Sequence, residues 1–302
     1  MKNLIGNKNT LAKLTDSARS GSLGHAYLFA GPENIGKTTL AEQLAKIILC
    51  SSSSQGECEC QNCKLVNILQ HPDLHIFDGY DANIEEIREL SQSLELKPYQ
   101  SKSRVAIVSH IDRLSVQALN SFLKTLEEPN DNTVIILTAE NKSNVLSTIL
   151  SRVRTVDLYP ATAKEVFEFL NLESGVKKDL ANEISKICGG RVGLALYYNE
   201  NPEKVAAAYK DSEEFYRRYI SKNISDQIIF GDTLAAKKEQ IEEKLNYYIN
   251  FLYAKMNESR DYPKGIENII SLLDGIARAK ILLRKNVNTK IVLESLMLGS
   301  LK

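Results

Sequence analysis

The sequence lacks any net charge: 38 Lys and Arg balance 38 Asp and Glu over 302 residues. A self-sufficient nucleic-acid binder usually carries a marked basic excess. The balance argues against that class, although a subunit contributing one small basic patch to an assembly stays compatible with it. Also missing is any apolar run near the roughly 18 residues that span a bilayer. The N-terminal stretch Met1-Lys-Asn-Leu-Ile-Gly-Asn7 has no apolar core of the kind a signal peptide needs. The expectation is a soluble cytoplasmic protein with no membrane partner. No internal repeat is evident, and the length allows two or three domains, each with its own core.

Cysteine is scarce, but four of the five, Cys50, Cys58, Cys60 and Cys63, are crowded into one short segment. In a chain without an export signal, clustered thiols point to metal before disulfides, because the cytosol keeps thiols reduced. Four thiolates satisfy tetrahedral zinc, and such a site is structural because no coordination position is left open. The Cys58-x-Cys60 step is tighter than the usual C-x2-C, so reduced or partly liganding cysteines stand as the alternative. Cys188 is isolated on an apolar helical segment and reads as a small core residue. The serine run Ser51–Ser54 reads as a mobile entry to the cluster.

What is present is a complete phosphate-loop signature, G-x-x-x-x-G-K-[ST], at Gly31-Pro32-Glu33-Asn34-Ile35-Gly36-Lys37-Thr38. The apolar run Ala26–Ala30 predicts a buried strand entering the loop, and Thr39–Ile48 predicts a helix leaving it. In such a loop backbone N–H groups and the helix N-terminus surround phosphates, Lys37 supplies a point charge, and the Thr38 hydroxyl is a magnesium ligand. Residues Gly31 to Thr39 are therefore the candidate site for ATP or ADP with Mg2+. The competing reading is a glycine turn before a helix that binds nothing.

Further strand-like runs at Leu74–Phe77, Val105–Val108, Val134–Thr138 and Val156–Tyr159 alternate with helical patterns. Unalternating apolar strands of this kind imply a parallel five-stranded sheet covered on both faces, ending near residue 160. One helix is predicted from Ser115, with Val116, Leu119, Phe122, Leu123 and Leu126 on one face and Pro129 as its stop. Beyond Pro160 the pattern Thr162-x-x-Glu165 reads as a capping box, and no convincing strand follows. Gly189-Gly190 breaks the helical region once. Long amphipathic patterns at Ala235–Met256 and Ile266–Leu283 and a last helix opening near Asn288-Thr289 complete the chain. These stripes read as bundle core, with some of the excess open to a partner.

The strand Arg104–Val108 should end on the acidic residue that holds magnesium, yet Ser109-His110-Ile111-Asp112 follows. Ser109 is a poor magnesium partner and neutral His110 does not replace a carboxylate. Losing a positioned base alone is worth roughly 10²–10⁴ in rate. Two lesser readings stand beside this one: Asp112 reaching the metal through water, and His110 serving as a base instead of packing or hydrogen bonding. The chain is expected to hold a nucleotide and to cleave it poorly.

Several stretches closely resemble the delta-prime family of the bacterial clamp loader, AAA+ proteins of the DNA polymerase III holoenzyme. They are His25-Ala-Tyr-Leu-Phe-Ala-Gly-Pro32 through the phosphate loop, the four-cysteine cluster, His71-Pro72-Asp73, Leu119-Asn-Ser-Phe-Leu-Lys-Thr-Leu-Glu-Glu-Pro129 and Thr148-Ile-Leu-Ser-Arg152. The likeness is strong over residues 1–160 and weaker beyond, where Asn286–Leu296 also resembles that family's final helix. It implies an AAA+ nucleotide-binding domain over 1–160 with a cysteine knuckle at 50–63, a small helical lid over 161–200 and a helical collar over 201–302. It implies that Arg152 is an arginine finger offered to the ATP site of a neighbouring subunit, with Val153 where a cysteine is usual. A surface ion pair is the alternative, and Arg154 lies close enough to compete for the assignment. Thr138 falls at a sensor position, with strand packing as its other reading.

The same resemblance implies a clamp-loader subunit acting in DNA replication, helping to place the sliding clamp on primed DNA beside gamma/tau and delta subunits. Two departures separate the chain from the ATP-cleaving gamma/tau type. The strand-end carboxylates are absent, and Gly189-Gly-Arg191-Val-Gly193 lacks the family's Gly-x-x-Arg-Asp arrangement because Arg191 sits one position early. An active gamma/tau-type motor is the first alternative. A stand-alone ATP-dependent enzyme is the second, without an acceptor pocket or a second catalytic carboxylate in the sequence to support it.

Overall fold

A computed structural model describes residues 4–52, 58–80, 83–221, 223–236, 241–258 and 263–301. The chain divides into two compact units, one of Met1–Thr162 with Arg191–Gly193, the other of Ala163–Gly190 with Leu194–Lys302. The first runs α1 (Lys8–Arg19), β1 (Ala26–Ala30), α2 (Lys37–Leu49), α3 (Gln61–Asn67), β2 (Leu74–Asp78), α4 (Ile84–Glu95), β3 (Arg104–Ser109), α5 (Val116–Glu127), β4 (Thr133–Ala139), α6 (Ser147–Leu150) and β5 (Arg154–Asp157).

All strand pairings are parallel, in the order β2-β3-β4-β1-β5. Successive strand side chains point to opposite faces, so the three inner strands β3, β4 and β1 feed two cores. Leu28, Ala106, Val108, Ile135 and Leu137 join Ile87, Phe122 and Leu126 on one face. Tyr27, Phe29, Val105, Ile107 and Ile136 join Leu40, Leu44 and Val66 on the other. This is why β1 and β3 read as unbroken apolar runs: every residue of both is buried. Each fully buried large apolar side chain contributes about 1.5–3 kcal/mol.

The outer strands read less clearly. β5 occupies Arg154–Asp157 and not Val156–Tyr159, because it is an edge strand whose Arg154, Thr155 and Asp157 face solvent. Leu158 and Tyr159 lie beyond it, although the Leu158 amide still donates to the Ala30 carbonyl at 2.7 Å. α5 begins as expected, with the Ser115 hydroxyl accepting the Ala118 amide. α4 carries a capping box that the sequence reading did not use: Asn83 accepts the Glu85 and Glu86 amides while Glu86 accepts the Asn83 amide.

The second unit holds α7 (Ala163–Glu168), α8 (Lys178–Ile187), most of α9 (Val192–Glu200), α10 (Pro202–Ile220), α11 (Ile224–Ala235), α12 (Ile241–Glu258), α13 (Pro263–Arg284) and α14 (Thr289–Met297). No strand occurs among its described residues. Phe215 and Tyr248 stack at 4.0 Å between centroids within a core that includes Phe230, Leu252, Leu272, Ile276, Leu293 and Leu296. The long pattern read from Ala235 is two helices, since Ala235 closes α11 and α12 opens at Ile241; residues 237–240 lie outside the described residues. So do Ser53 and Ser54 of the serine run. The break at Gly189-Gly190 is real, both residues being left-handed at φ 59° and 73°. Ala163–Gly190 groups with the later helices in this unit.

Candidate functional site

Strand register brings Ala30 beside Ala139 and Asp157, and Asp78 beside Ser109, along one edge of the sheet. In parallel α/β sheets ligands gather at the carboxyl ends of the strands. The loop Gly31–Gly36 leaves β1 at this edge. A Cβ on Gly31 would lie 2.5 Å from the Leu158 carbonyl oxygen and 2.7 Å from Ile35 Cδ1, so only glycine permits the approach. Asn34 and Gly36 are left-handed at φ 64° and 95°, and Ile35 is buried beneath them. No side chain among the described residues caps α2. Its first amides thus keep their donors for a ligand.

Lys37 is buried and its Nζ donates to the carbonyl oxygens of Gly31 and Pro32, each at 2.8 Å. Burial lowers its pKa from the ordinary 10.5, partly offset by the carboxylates of Glu140, Glu33 and Asp112 and reinforced by Arg191. A cation held at reduced solvation beside uncapped amides is a fitting partner for phosphate oxygens. Pro32, Thr38 and Thr39 are half-buried along the same loop and first turn.

The acidic half of the pocket differs. Ser109 closes β3 as a buried residue. His110 is left-handed at φ 52°, its amide donates to Thr138 Oγ1 at 3.2 Å, and its Nδ1 lies 2.8 Å from Asp78 Oδ1. The Tyr80 ring meets its edge at 4.4 Å. His110 is engaged by β2 and β4, and the Thr138 hydroxyl is engaged by His110. Asp112 Oδ2 accepts the amides of Glu140 and Asn141 at 3.0 and 3.3 Å, while its buried Oδ1 has no partner among the described residues. The strand end offers no carboxylate where a magnesium ion would take one, so the fit to that ion is incomplete.

Glu140 was missed by sequence reasoning, and Glu33, included there only as a member of the loop, gains side-chain partners in the structure. Glu33 accepts the Tyr80 hydroxyl at 3.0 Å, and Arg113 Nη2 approaches Glu33 at 3.7 Å and Glu140 at 3.4 Å. The available signal was position: Glu140 is the first residue past β4, whose carboxyl end shares the edge occupied by the phosphate loop.

Arg152 stands between α6 and β5. Its Nη1 donates to the Thr148 carbonyl at 2.7 Å and to Ser151 Oγ at 3.0 Å, and its Nη2 pairs with Glu127. Arg154 is placed differently: it begins β5, and its guanidinium lies over Gly24, where a Cβ would come within 2.8 Å of Nε.

At the opposite end of α2, the Sγ atoms of Cys50, Cys58, Cys60 and Cys63 all lie within 4.8 Å of one another. Sulfurs on a tetrahedron with Zn–S of about 2.3 Å are separated by roughly 3.8 Å, so the set fits zinc. Burial opposes ionisation of Cys60, but hydrogen bonds from Ser51, Cys63 and Cys58 outweigh it and draw the thiol down to about 5. Burial first, then the neighbouring Cys50 and Cys60, push Cys63 up. Thiols packed this closely do not all ionise without a cation among them. Cys188 is buried at the end of α8, as a core residue should be.

The DNA polymerase III subunit delta' of Bacillus subtilis is 29% identical over 94% of this chain and 93% of its own length. The subunit tau of the same organism is 30% identical over 56% of this chain and 31% of its own length. A solved DNA polymerase III gamma subunit-related protein from Thermotoga maritima superposes with a TM-score of 0.42 at 17% identity, covering 96% of this chain and 98% of that one. The family described as DNA polymerase III, delta subunit matches residues 6–162, just over half of the 302 residues, and the chain belongs to that family.

Proposed function

We propose that the chain is a clamp-loader subunit of the delta-prime kind acting in DNA replication, holding a nucleotide that it cleaves poorly and offering Arg152 to the ATP site of a neighbouring subunit. The observation that carries this reading is the contrast within one pocket. Lys37, Gly31 and the uncapped first turn of α2 form an intact phosphate cradle, while β3 ends on buried Ser109 followed by a His110 already committed to Asp78. Mg2+, when bound, would supply charge neutralisation to phosphates, and Thr38 would be the protein residue to hold it. Zn2+ held by Cys50, Cys58, Cys60 and Cys63 is structural.

Arg152 acts in trans. A guanidinium set against a transferring phosphoryl group spreads positive charge over its oxygens and is worth about 10³–10⁵ in rate. The gamma/tau subunits supply that phosphoryl group, and delta, the sliding clamp and primed DNA complete the assembly. Within the chain the 1–160 domain binds nucleotide, 161–200 serves as a lid and 201–302 as the collar that joins partners. The place of work is the cytoplasm.

The test is ATP turnover by the purified chain, alone and within a ring rebuilt from its own gamma/tau and delta subunits. Slow turnover alone, with ring activity depressed by Arg152→Ala at intact assembly, is expected. Brisk turnover by the lone chain, abolished by Lys37→Ala, would favour the second reading, an ATP-cleaving gamma/tau-type motor. That reading draws on the carboxylates of Glu33, Asp112 and Glu140 near Lys37.

A further inference from the structure

Glu127 is the last residue of α5, and its Oε1 meets Arg152 Nη2. The other two acceptors of the guanidinium, the Thr148 carbonyl and Ser151 Oγ, belong to the turn that leads directly into Arg152 and move with it. Among the described residues Glu127 is the one anchor that comes from a different element. α5 is itself fixed, with Leu119, Phe122 and Leu126 buried in the core that also takes Ile149 of α6. Among the described residues Glu127 makes no second ion pair. Both side chains retain solvent exposure, 33% for Arg152 and 47% for Glu127. Pairs exposed to that degree contribute little to stability, so stability gives a weak reason for this one.

We propose that Glu127 is a positioning residue for Arg152, setting the direction in which the guanidinium is presented to a neighbouring subunit's ATP. The proposal rests on the arginine-finger reading of Arg152. Arginine carries large rotamer freedom, and a long side chain anchored only to its own turn sweeps a wide arc. A carboxylate on a second, rigidly packed helix removes that arc. A guanidinium has five N–H donors, and the three contacts within the chain leave donors free for a phosphoryl oxygen. Positioning of this kind matters steeply, since a misplacement of about 1 Å costs on the order of 10²-fold in rate.

The experiment uses the rebuilt ring with its clamp and primed DNA. It measures kcat and KM for ATP with Arg152→Ala, Glu127→Ala, Glu127→Gln and the Glu127→Ala/Arg152→Ala double variant, and checks ring assembly and the melting temperature of each chain. Glu127→Ala should lower kcat by about tenfold or more with KM within about twofold, and the double variant should be no slower than Arg152→Ala. Glu127→Gln keeps an acceptor at the same reach and should recover most of the rate, which an effect of unfolding would not allow. An unchanged or raised kcat for Glu127→Ala, beside a depressed Arg152→Ala, overturns the positioning role and leaves the finger standing. Strictly additive losses in the double variant overturn it also. An unchanged kcat for Arg152→Ala removes the finger and this proposal with it.

Discussion

The Gly193 amide donates to the carbonyl oxygen of Asn34 at 2.8 Å, joining the start of α9 to the crown of the phosphate loop within the first compact unit. A Cβ on Gly193 would stand 3.0 Å from Asn34 Oδ1 and 3.1 Å from its Cβ. Gly→Ala within a helix normally stabilises by about 0.5–1 kcal/mol. Here the added methyl presses on a left-handed residue of the loop, so Gly193→Ala should lower the melting temperature and weaken ATP binding severalfold, and Gly193→Val more so. Calorimetric titration with ATP and thermal unfolding of both variants check this; a raised melting temperature with unchanged affinity would show that Asn34 yields freely.

Lys37 donates its ammonium to the Gly31 and Pro32 carbonyls. Lys37→Ala should therefore weaken ATP binding by tenfold or more, of the order of a charge-assisted contact of about 1.5–3 kcal/mol. The depressed pKa adds a pH signature. Below the folded pKa the lysine is charged and ready for phosphate; as pH rises through that value, still below 10.5, affinity should decline. The stability sign is opposite to that of a paired lysine, because burying the charge costs free energy that deprotonation relieves. ATP titrations from pH 7 upward, with Lys37→Ala as the flat control, measure it.

The legible part of this chain was what burial writes into sequence. β1 and β3 read directly because all their residues are buried, and the glycine-bearing turn between β1 and α2 read directly because Gly31 and Lys37 make close contacts there. β5 was misplaced by two residues because an edge strand needs only Val156 inside. The return of Arg191–Gly193 to the first unit left no local trace, since its cause is a contact with Asn34 distant in sequence. Glu140 was overlooked for the same reason, and the side-chain partners of Glu33 were not legible either: Tyr80, Arg113 and Lys37 are brought near only by the fold.

His71-Pro72-Asp73 is resolved by the structure as an anchor. Asp73 is fully buried, and its carboxylate accepts the amides of Tyr99, Gln100 and Ser101 at 2.5, 2.8 and 2.7 Å. Burial alone would raise its pKa, but these three amides outweigh it and hold the carboxyl below the ordinary 3.8. The linked stability is present above 3.8 and is lost as pH falls through the lower, folded value. Asp73→Asn turns an amide donor toward amide donors and should cost about 3 kcal/mol. Denaturant unfolding at pH 7 reads the loss, and the same titration below pH 4 should show a shallower acid decline in the variant.

The cysteine cluster permits the sharpest chemical test. Cys50 directly follows α2, Cys60 directly precedes α3 and buried Cys63 lies within it, so a metal at their sulfurs would clamp the two helices. Asn62 already ties them, donating to the Leu49 carbonyl at 2.8 Å and to Ser101 Oγ at 3.0 Å. The protein purified without chelator should carry one equivalent of zinc. Cys63→Ser should lose it, whereas Cys188→Ser, altered at the buried end of α8, should keep it. Because binding free energy of a structural zinc is folding free energy, removal should lower the melting temperature. It should leave ATP affinity nearly unchanged, since Lys37 opens α2 and Cys50 follows its last turn. Metal content by atomic absorption decides the matter: a chain with four free thiols, no zinc and an unaltered melting temperature would make the cluster a set of reduced cysteines.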